Sequence, residues 1–371
     1  MKKLITAIGL MSGTSCDGID VSIIKSDGED VLNLIGDFFL PYSEKIRFSI
    51  RIVKDKIDKV SDLQTNKNEI DALENEITLL HSKAINLLLK KLKIDRSEID
   101  LIGFHGHTIL HSFNHKKTKQ LGDGEALSKL MGLNVIYNFR ENDLNNGGQG
   151  APLAPIFHKL LKKKFQLKGP VVFINIGGIS NLTYLDDNNE MISFDSGPGN
   201  FLIDNLLQLK SNGKIQFDKK GEIAFRGKVD KNILDAYLCD PYYDSPPPKS
   251  LDVNNFNLSS IRGLSVENSI TTLSELTALT IVNSFNFFLK KPQKIILCGG
   301  GRKNEYINDR IKKISNISTL NIDNYKINGD FIESQAFAYL AIRSFFQKPI
   351  SFPKTTGALK PITGGELIKF I

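Results

Sequence analysis

Residues 9–20 read Gly-Leu-Met-Ser-Gly-Thr-Ser-Cys-Asp-Gly-Ile-Asp, a polar turn between two apolar runs. Gly13 and Gly18 let the backbone come close to a ligand. Successive N–H groups in such a turn form a concavity that binds anions such as phosphate. The hydroxyls of Thr14 and Ser15 can bond phosphate oxygens. Asp17 and Asp20 carry the oxygen donors that Mg²⁺ takes, directly or through water. Taken alone, the run also reads as a hairpin with Asp-Gly turn chemistry. Three further turns of the same kind favour phosphate: Gly177-Gly178-Ile179-Ser180-Asn181, Asp195-Ser196-Gly197-Pro198-Gly199-Asn200 and Gly299-Gly300-Gly301. None is a Walker A loop or a G-x-G-x-x-G fingerprint, so the pattern points to a different nucleotide fold.

Each of these turns needs a strand to deliver it. Leu4–Leu10 and Ile19–Ile24 flank the first, with a third strand over Val31–Leu40. Val171–Ile176 and Leu182–Leu185 flank the second. Met191–Phe194 ends on Asp195 and precedes a helical pattern over Phe201–Leu209. Lys294–Cys298 ends on the glycine triplet, before the helix pattern Arg302–Lys313. Glycines at the C-terminal ends of strands mark the ligand edge of an open α/β sheet. Leu73, Ile77, Leu80, Ala84 and Leu87 recur at spacings of four and three, a core helix rather than a coiled coil. Ile99–Phe104 is a buried strand delivering His105-Gly106-His107, followed by a helix over Glu125–Met131 and a strand over Val135–Tyr137. Asn142–Pro155 is a loop and candidate domain junction. Asp240–Ser250, with three consecutive prolines, is expected as a stiff surface loop. Long helices are expected over Ser265–Leu289 and Glu333–Gln347.

The sequence resembles the anhydro-N-acetylmuramic acid kinase family over nearly its whole length. The markers are Met11–Asp20, Phe104-His105-Gly106-His107-Thr108, Phe139-Arg140, Gly147–Leu153, Asn175–Asn181, Phe194–Asn200 and Gly299–Gly301. Against the family pattern, Cys16 replaces leucine, His107 replaces glutamine, Ser196 replaces threonine and Asn138 replaces aspartate. Leu251-Asp252 stands in place of Thr-Gly after Pro247-Pro248-Lys249-Ser250. The resemblance implies an α/β, two-domain actin-like ATPase (ribonuclease H-like) fold with an interdomain cleft. Residues 1–138 form the N-terminal domain with the first phosphate turn. Residues 139–371 form the C-terminal domain with the second turn, the catalytic aspartate and the adenosine site, the tail packing back on the first domain.

The resemblance also implies roles. Asp195 is the general base, whose alternative is an N-cap for the next helix. Gly13, Thr14, Ser15, Cys16, Asp17, Gly18, Ile19 and Asp20 form the ATP phosphate turn, and Asp17 or Asp20 holds Mg²⁺ or orients the sugar. Gly177, Gly178 and Asn181 form the second phosphate turn, and Gly299, Gly300 and Gly301 lie against adenosine, or are a plain strand-to-helix turn. His105, Arg140, Gln149 and Glu333 are sugar contacts. Arg140 either takes a carboxylate with its planar fork or makes a structural salt bridge. Glu333 is also explained as a first-turn helix charge. The implied reaction phosphorylates O6 of 1,6-anhydro-N-acetylmuramic acid with ATP and Mg²⁺ while water opens the ring at C1, in peptidoglycan recycling.

Composition narrows the alternatives. At 371 residues the chain is long enough for two domains. No apolar run reaches the roughly 18 residues of a membrane span, and Leu4–Leu10 reads as a strand rather than a signal peptide. Cys16, Cys239 and Cys298 form no C-x-x-C pair and fit a reduced, cytoplasmic protein. The net charge of +7 is spread over dispersed lysines without a nucleic-acid motif. His105, His107 and His111 lack the helical spacing and third ligand of a zinc site. The expected partners are the sugar and ATP, with no nucleic acid and no membrane; a homodimer is compatible with this reading. The competing readings are a kinase for another sugar, a nucleotide-switched interaction protein, a sugar-responsive DNA-binding regulator and a glycosidase.

Overall fold

The computed structural model describes residues 3–13 and 15–370, apart from the side chain of Asn254. The chain divides into two compact units, Met1–Lys164 with Phe331–Ile371, and Phe165–Asp330. Among the described residues no helix is long and apolar enough to cross a membrane.

The first unit is built on β1 (Ile5–Ser12), β2 (Gly18–Ser26), β3 (Leu32–Pro41), β4 (Leu101–Ser112), β5 (Lys117–Leu121) and β6 (Val135–Tyr137). The sheet runs from a C-terminal strand, Glu366–Ile368, through β6, β4, β1 and β2 to β3, with β5 paired to β4. β1–β2 and β2–β3 are antiparallel, whereas β1–β4 and β4–β6 are parallel. Ile5, Ala7, Ile8 and Leu10 of β1 are all fully buried. Burial on both faces explains why this strand reads as a continuous apolar run.

One face carries the helix Lys67–Leu92, whose Leu73, Ile77 and Ala84 are buried. The other carries the helix Ile332–Phe345, and two glycines admit it. Gly9 and Gly103 are register partners on β1 and β4. A Cβ on Gly9 would lie 1.9 Å from the Ser334 carbonyl oxygen, and one on Gly103 would lie 2.4 Å from that of Phe337. Such strand glycines mark close approach of another backbone.

Against the expected boundary at 138/139, residues 139–164 pack with the first unit. The helix Pro155–Lys164 buries Phe157 beside Tyr339, ring centroids 5.7 Å apart, which ties it to the helix Ile332–Phe345.

The second unit holds β7 (Val171–Ile176), β8 (Ile179–Leu185), β9 (Met191–Pro198), β10 (Lys294–Cys298) and β11 (Ser318–Asn321). Their order is β11-β10-β7-β8-β9. Again β7–β8 and β8–β9 are antiparallel, whereas β7–β10 and β10–β11 are parallel. Each unit therefore has three antiparallel strands in sequence, continued on the far side of the first strand by two parallel ones. The helix Val266–Asn283 starts at the Ser265 N-cap and packs on β9. It stops earlier than expected, because Ser284–Phe287 tighten into a 3₁₀ turn.

Candidate active site

β9 does not end at Phe194. It continues through the Asp195 motif to Pro198, placing Asp195 opposite Asn181 on β8 across a bulge at Ser180/Asn181. The residue before the next helix is Asn200, so Asp195 is not that helix's cap. Instead Asp195 is fastened on three sides by the segment 242–251. Its N–H donates to the Lys249 carbonyl (3.1 Å), its carbonyl accepts from the Tyr242 hydroxyl (2.6 Å), and its Oδ2 accepts from Leu251 N–H (2.8 Å). Among the described residues Oδ1 has no hydrogen-bond partner. Burial pushes the carboxyl up to about 7, against the lowering effect of the Leu251 N–H. The departure at Leu251 is neutral for this bond, because the backbone makes it.

The expected surface loop at 240–250 is thus partly a cover on Asp195. Lys249 is only 8% exposed, and the sequence reading assigned it no role. The Tyr242-Tyr243 pair ahead of Pro-Pro-Lys was the signal for this packing.

The Gly177-Gly178 turn accepts from the start of the following helix. Gly199 N–H donates to the Gly178 carbonyl (2.9 Å) and Asn200 N–H to the Gly177 carbonyl (2.8 Å). A Cβ on Gly178 would meet nothing closer than 3.8 Å, so that face of the turn is open.

The glycine triplet divides by role. Gly299 has φ +73° and an added Cβ would lie 2.2 Å from Asn175 Oδ1. One on Gly301 would lie 2.3 Å from Ile176 Cγ2. Both are demanded by packing on the end of β7. Only Gly300 faces open space, with nothing within 4 Å. Buried Arg302 pins the turn, donating to the Gly299 carbonyl (2.9 Å) and to Asp323 (2.9 Å) and Asp330 (2.6 Å). Beside it lies a cavity of about 560 Å³ lined by Phe217, Lys219, Lys220, Arg302, Lys303 and Asn308 among others. Its volume is in the range of small-molecule sites.

In the first unit, the turn between β1 and β2 closes with Cys16 N–H donating to the Gly13 carbonyl (3.1 Å). Thr14 lies outside the described residues. Ser15 and Asp17 are exposed, and the Ser15 hydroxyl donates to Asp17 Oδ1 (2.6 Å). Gly18 and Ile19 are buried at the start of β2, with Asp20 half-buried after them. Cys16, at φ +55°, points inward. Its Sγ lies 3.6 Å from His107 Nε2, and His107 Nδ1 lies 3.0 Å from Ser12 Oγ, which accepts from the Tyr42 hydroxyl (2.9 Å). Two departures from the family pattern, Cys16 and His107, therefore touch each other. The strand β4 runs on to Ser112, so His107 is a strand residue, and its burial lowers its pKa to about 4. A neutral imidazole braces the turn from below. Tyr42 was not foreseen, since nothing near it in sequence carries chemistry.

The sugar candidates gather in the same unit. Arg140 Nε donates to His105 Nε2 (3.0 Å), and His105 Nδ1 lies 3.0 Å from the Gly106 carbonyl. Arg140 Nη1 donates to the Gly150 carbonyl (2.8 Å). Burial lowers the guanidinium to about 10, opposed by the charges of Glu333 and Asp143. The bonds to His105 and Gly150 and the nearby charges of Glu333 and Asp143 fix the guanidinium in this unit. Gln149 is held in the neighbouring loop, its N–H donating to the Thr356 carbonyl (2.7 Å) and its carbonyl 2.8 Å from His111 Nε2. The organiser of that loop is Asp143, also unforeseen. It is 1% exposed, and accepts from Gly150 N–H (2.7 Å) and the Thr356 hydroxyl (2.7 Å). Asn138 adopts φ +52°, a conformation asparagine tolerates well.

Two sheets of one strand order, each opening on a strand–glycine turn–strand, define a duplicated ribonuclease H-like protein of the actin-like ATPase class. A family model described as anhydro-N-acetylmuramic acid kinase matches residues 5–369, and the chain belongs to that family. Two curated relatives carry the same name. One, from Pelagibacter ubique (strain HTCC1062), is 45% identical over 378 aligned positions, covering 100% of both chains. The other, from Brucella canis (strain ATCC 23365 / NCTC 10854 / RM-666), is 38% identical over 374, again covering 100% of both. Among solved structures, component A of (R)-2-hydroxyglutaryl-CoA dehydratase from Acidaminococcus fermentans superposes with TM-score 0.47 at 8% identity, covering 91% of this chain and 98% of its own. The enzyme class that follows from membership is an ATP-dependent anhydro-N-acetylmuramic acid kinase.

Proposed function

We propose that the chain converts 1,6-anhydro-N-acetylmuramic acid, water and ATP to N-acetylmuramic acid 6-phosphate and ADP, with Asp195 as general base. The observation that carries this is the state of Asp195. One carboxyl oxygen is tied to Leu251 N–H, the other has no partner among the described residues, and burial raises the group to about 7. A base of that pKa is matched to proton transfer at neutral pH, an effect worth about 10²–10⁴ in rate. Oδ1 takes a proton from water as the water oxygen bonds to C1. The C1–O6 bond breaks, and O6 takes the γ-phosphoryl group as the bond to ADP breaks.

The second unit contributes the Gly177-Gly178 turn to phosphate, Asn181 beside the base, and the Gly299-Gly300-Gly301 turn, with the cavity beside Arg302, to the nucleoside. The first unit contributes the Gly13–Asp20 turn to phosphate. His105, Arg140, Gln149 and Glu333 bind the sugar, the Arg140 guanidinium being the donor for its carboxylate. Mg²⁺ would be held by Asp17 and Asp20. Among the described residues no group of three or more His, Cys, Asp or Glu side chains is placed to hold a metal ion by itself. That suits an ion which keeps its waters and leans on substrate phosphates. When bound, it neutralises phosphate charge. The product belongs to cytoplasmic recycling of peptidoglycan.

The test is to incubate the protein with Mg-ATP and the anhydro sugar and weigh the product. A gain of one phosphoryl group plus one water is expected. A gain of the phosphoryl group alone would remove the ring opening and leave a simple hydroxyl kinase.

A further inference from the structure

We propose that Lys249 is a positioning residue for the reaction: its ammonium locks the segment 242–251 around Asp195 and so aims the base. The inference rests on the reading of Asp195 given above.

Lysine is rarely buried without a partner, yet Lys249 is 8% exposed and has no ion pair with a carboxylate among the described residues. Its Nζ donates instead to the carbonyls of Tyr242 (2.8 Å) and Tyr243 (3.2 Å). It also lies 4.5 Å from the ring centroids of both Tyr242 and Phe287, and 5.6 Å from that of Phe194. Burial lowers the ammonium to about 8, a cost that the carbonyls and ring faces offset. Phe194 adjoins Asp195 on β9, and Phe287 belongs to the turn after the helix Val266–Asn283.

The lysine thus joins three pieces: the strand that carries the base, the helix end behind it, and the segment that covers it. What it fastens is the part of that segment that touches Asp195. The Tyr242 hydroxyl holds the Asp195 carbonyl, the Lys249 carbonyl holds the Asp195 N–H, and Leu251 N–H holds Oδ2. Every polar atom of Asp195 except Oδ1 is engaged by residues that this ammonium ties together. Lys249 itself does not touch the unpartnered oxygen, so its action runs through Tyr242 and Leu251. The titratable groups facing this set are Tyr237, Tyr242, Tyr243, Asp240 and Asp244.

The test uses the full chain and Lys249→Met, which keeps the length and apolar contacts but frees both carbonyls. Misplacing a reacting group by about 1 Å costs on the order of 10² in rate. The expected result is a fall in kcat of roughly 10–10² with KM for ATP within about twofold. The acid limb of kcat should also move to lower pH, because a loosened cover hydrates Asp195. If kcat is unchanged, or falls while the limb stays or moves up, the inference is overturned. Should Lys249→Met fail to fold, Tyr242→Phe removes only the hydroxyl bond to Asp195, and wild-type kcat and limb in that variant would overturn it equally. Asp195→Asn separates the two levels. Retained turnover there refutes the base itself, whereas a dead Asp195→Asn beside a wild-type Lys249→Met refutes only the positioning.

Discussion

Replacing Asp195 by asparagine should do two opposite things, and their signs come from one observation. The carboxyl is raised from its ordinary 3.8 up to about 7, with burial as the main cause. For activity, the working form is the ionised one. With that pKa roughly one site in eleven is ionised at about pH 6 and roughly ten in eleven at about pH 8, so wild-type turnover should rise about tenfold across that interval. Asp195→Asn removes the proton acceptor and should lose about 10²–10⁴ in kcat at every pH.

For stability the sign reverses. The folded carboxyl keeps its proton to a higher pH than the unfolded one. Between about pH 4 and 7 the unfolded chain releases a proton that the folded chain retains, so stability falls as pH rises through this window and the cost is complete above it. The full cost of a shift this large is about 4 kcal/mol, and partial hydration of the site reduces it to roughly 1–3 kcal/mol. Asparagine carries no such cost. The variant should therefore melt several degrees above wild type at about pH 8, since 1 kcal/mol corresponds to roughly 2–4 °C for a unit of this size. At about pH 4 the two should melt alike. Thermal melts at both pH values, beside a coupled ADP assay, read both effects. A variant that melts lower than wild type at both pH values would show that burial of the charge is not what raises the carboxyl. A variant that turns over normally would show that Asp195 is not the base.

The glycine triplet gives a contrast within three residues. Gly300→Ala should fold with wild-type stability and raise KM for ATP, because its Cβ meets only open space, whereas Gly299→Ala should lose about 1–3 kcal/mol through a left-handed backbone and a clash with Asn175; melting and ATP titration separate them. Asp143→Ala should cost about 2–5 kcal/mol, since Gly150 N–H and the Thr356 hydroxyl lose a buried acceptor, and any residual enzyme should show a raised KM for sugar and an unchanged KM for ATP. Burial lowers His107 to about 4, so it contributes stability that is present at neutral pH and lost as pH falls from about 6.5 towards 4. His107→Gln should flatten the fall in unfolding free energy over that interval, as measured by urea titration at several pH values.

The parts of the site legible in the sequence were those where glycine or a charged residue sits at a strand end. Strand β6 at Val135–Tyr137, β7 at Val171–Ile176 and β10 at Lys294–Cys298 lie where the apolar runs placed them. Strand ends were read short wherever the strand continues into polar residues. β4 runs through His105, His107 and His111, and β9 through Asp195 and Ser196, because neighbouring strands pair with them whatever their polarity. The return of the tail to the first unit was implied by the family resemblance, but the residues themselves do not announce it. The helix Ile332–Phe345 belongs with β1 and β4 through Gly9 and Gly103, and single glycines inside apolar runs do not announce a partner more than two hundred residues away.

The glycine motifs also hid a distinction that only coordinates draw. A turn glycine that admits a ligand and one that admits the protein's own backbone look the same in sequence. In the triplet, Gly299 and Gly301 serve the end of β7 and Gly300 alone faces outward. Gly199 similarly serves Gly177, whose carbonyl oxygen would lie 2.2 Å from an added Cβ. Conserving such a motif therefore does not require each of its residues to touch a nucleotide. The inner glycines bring strand end and helix start together, and that closeness is what presents the outer one. The same logic holds at Asp195, where Tyr242, Lys249 and Leu251 engage its N–H, carbonyl and Oδ2 and, among the described residues, leave Oδ1 unengaged.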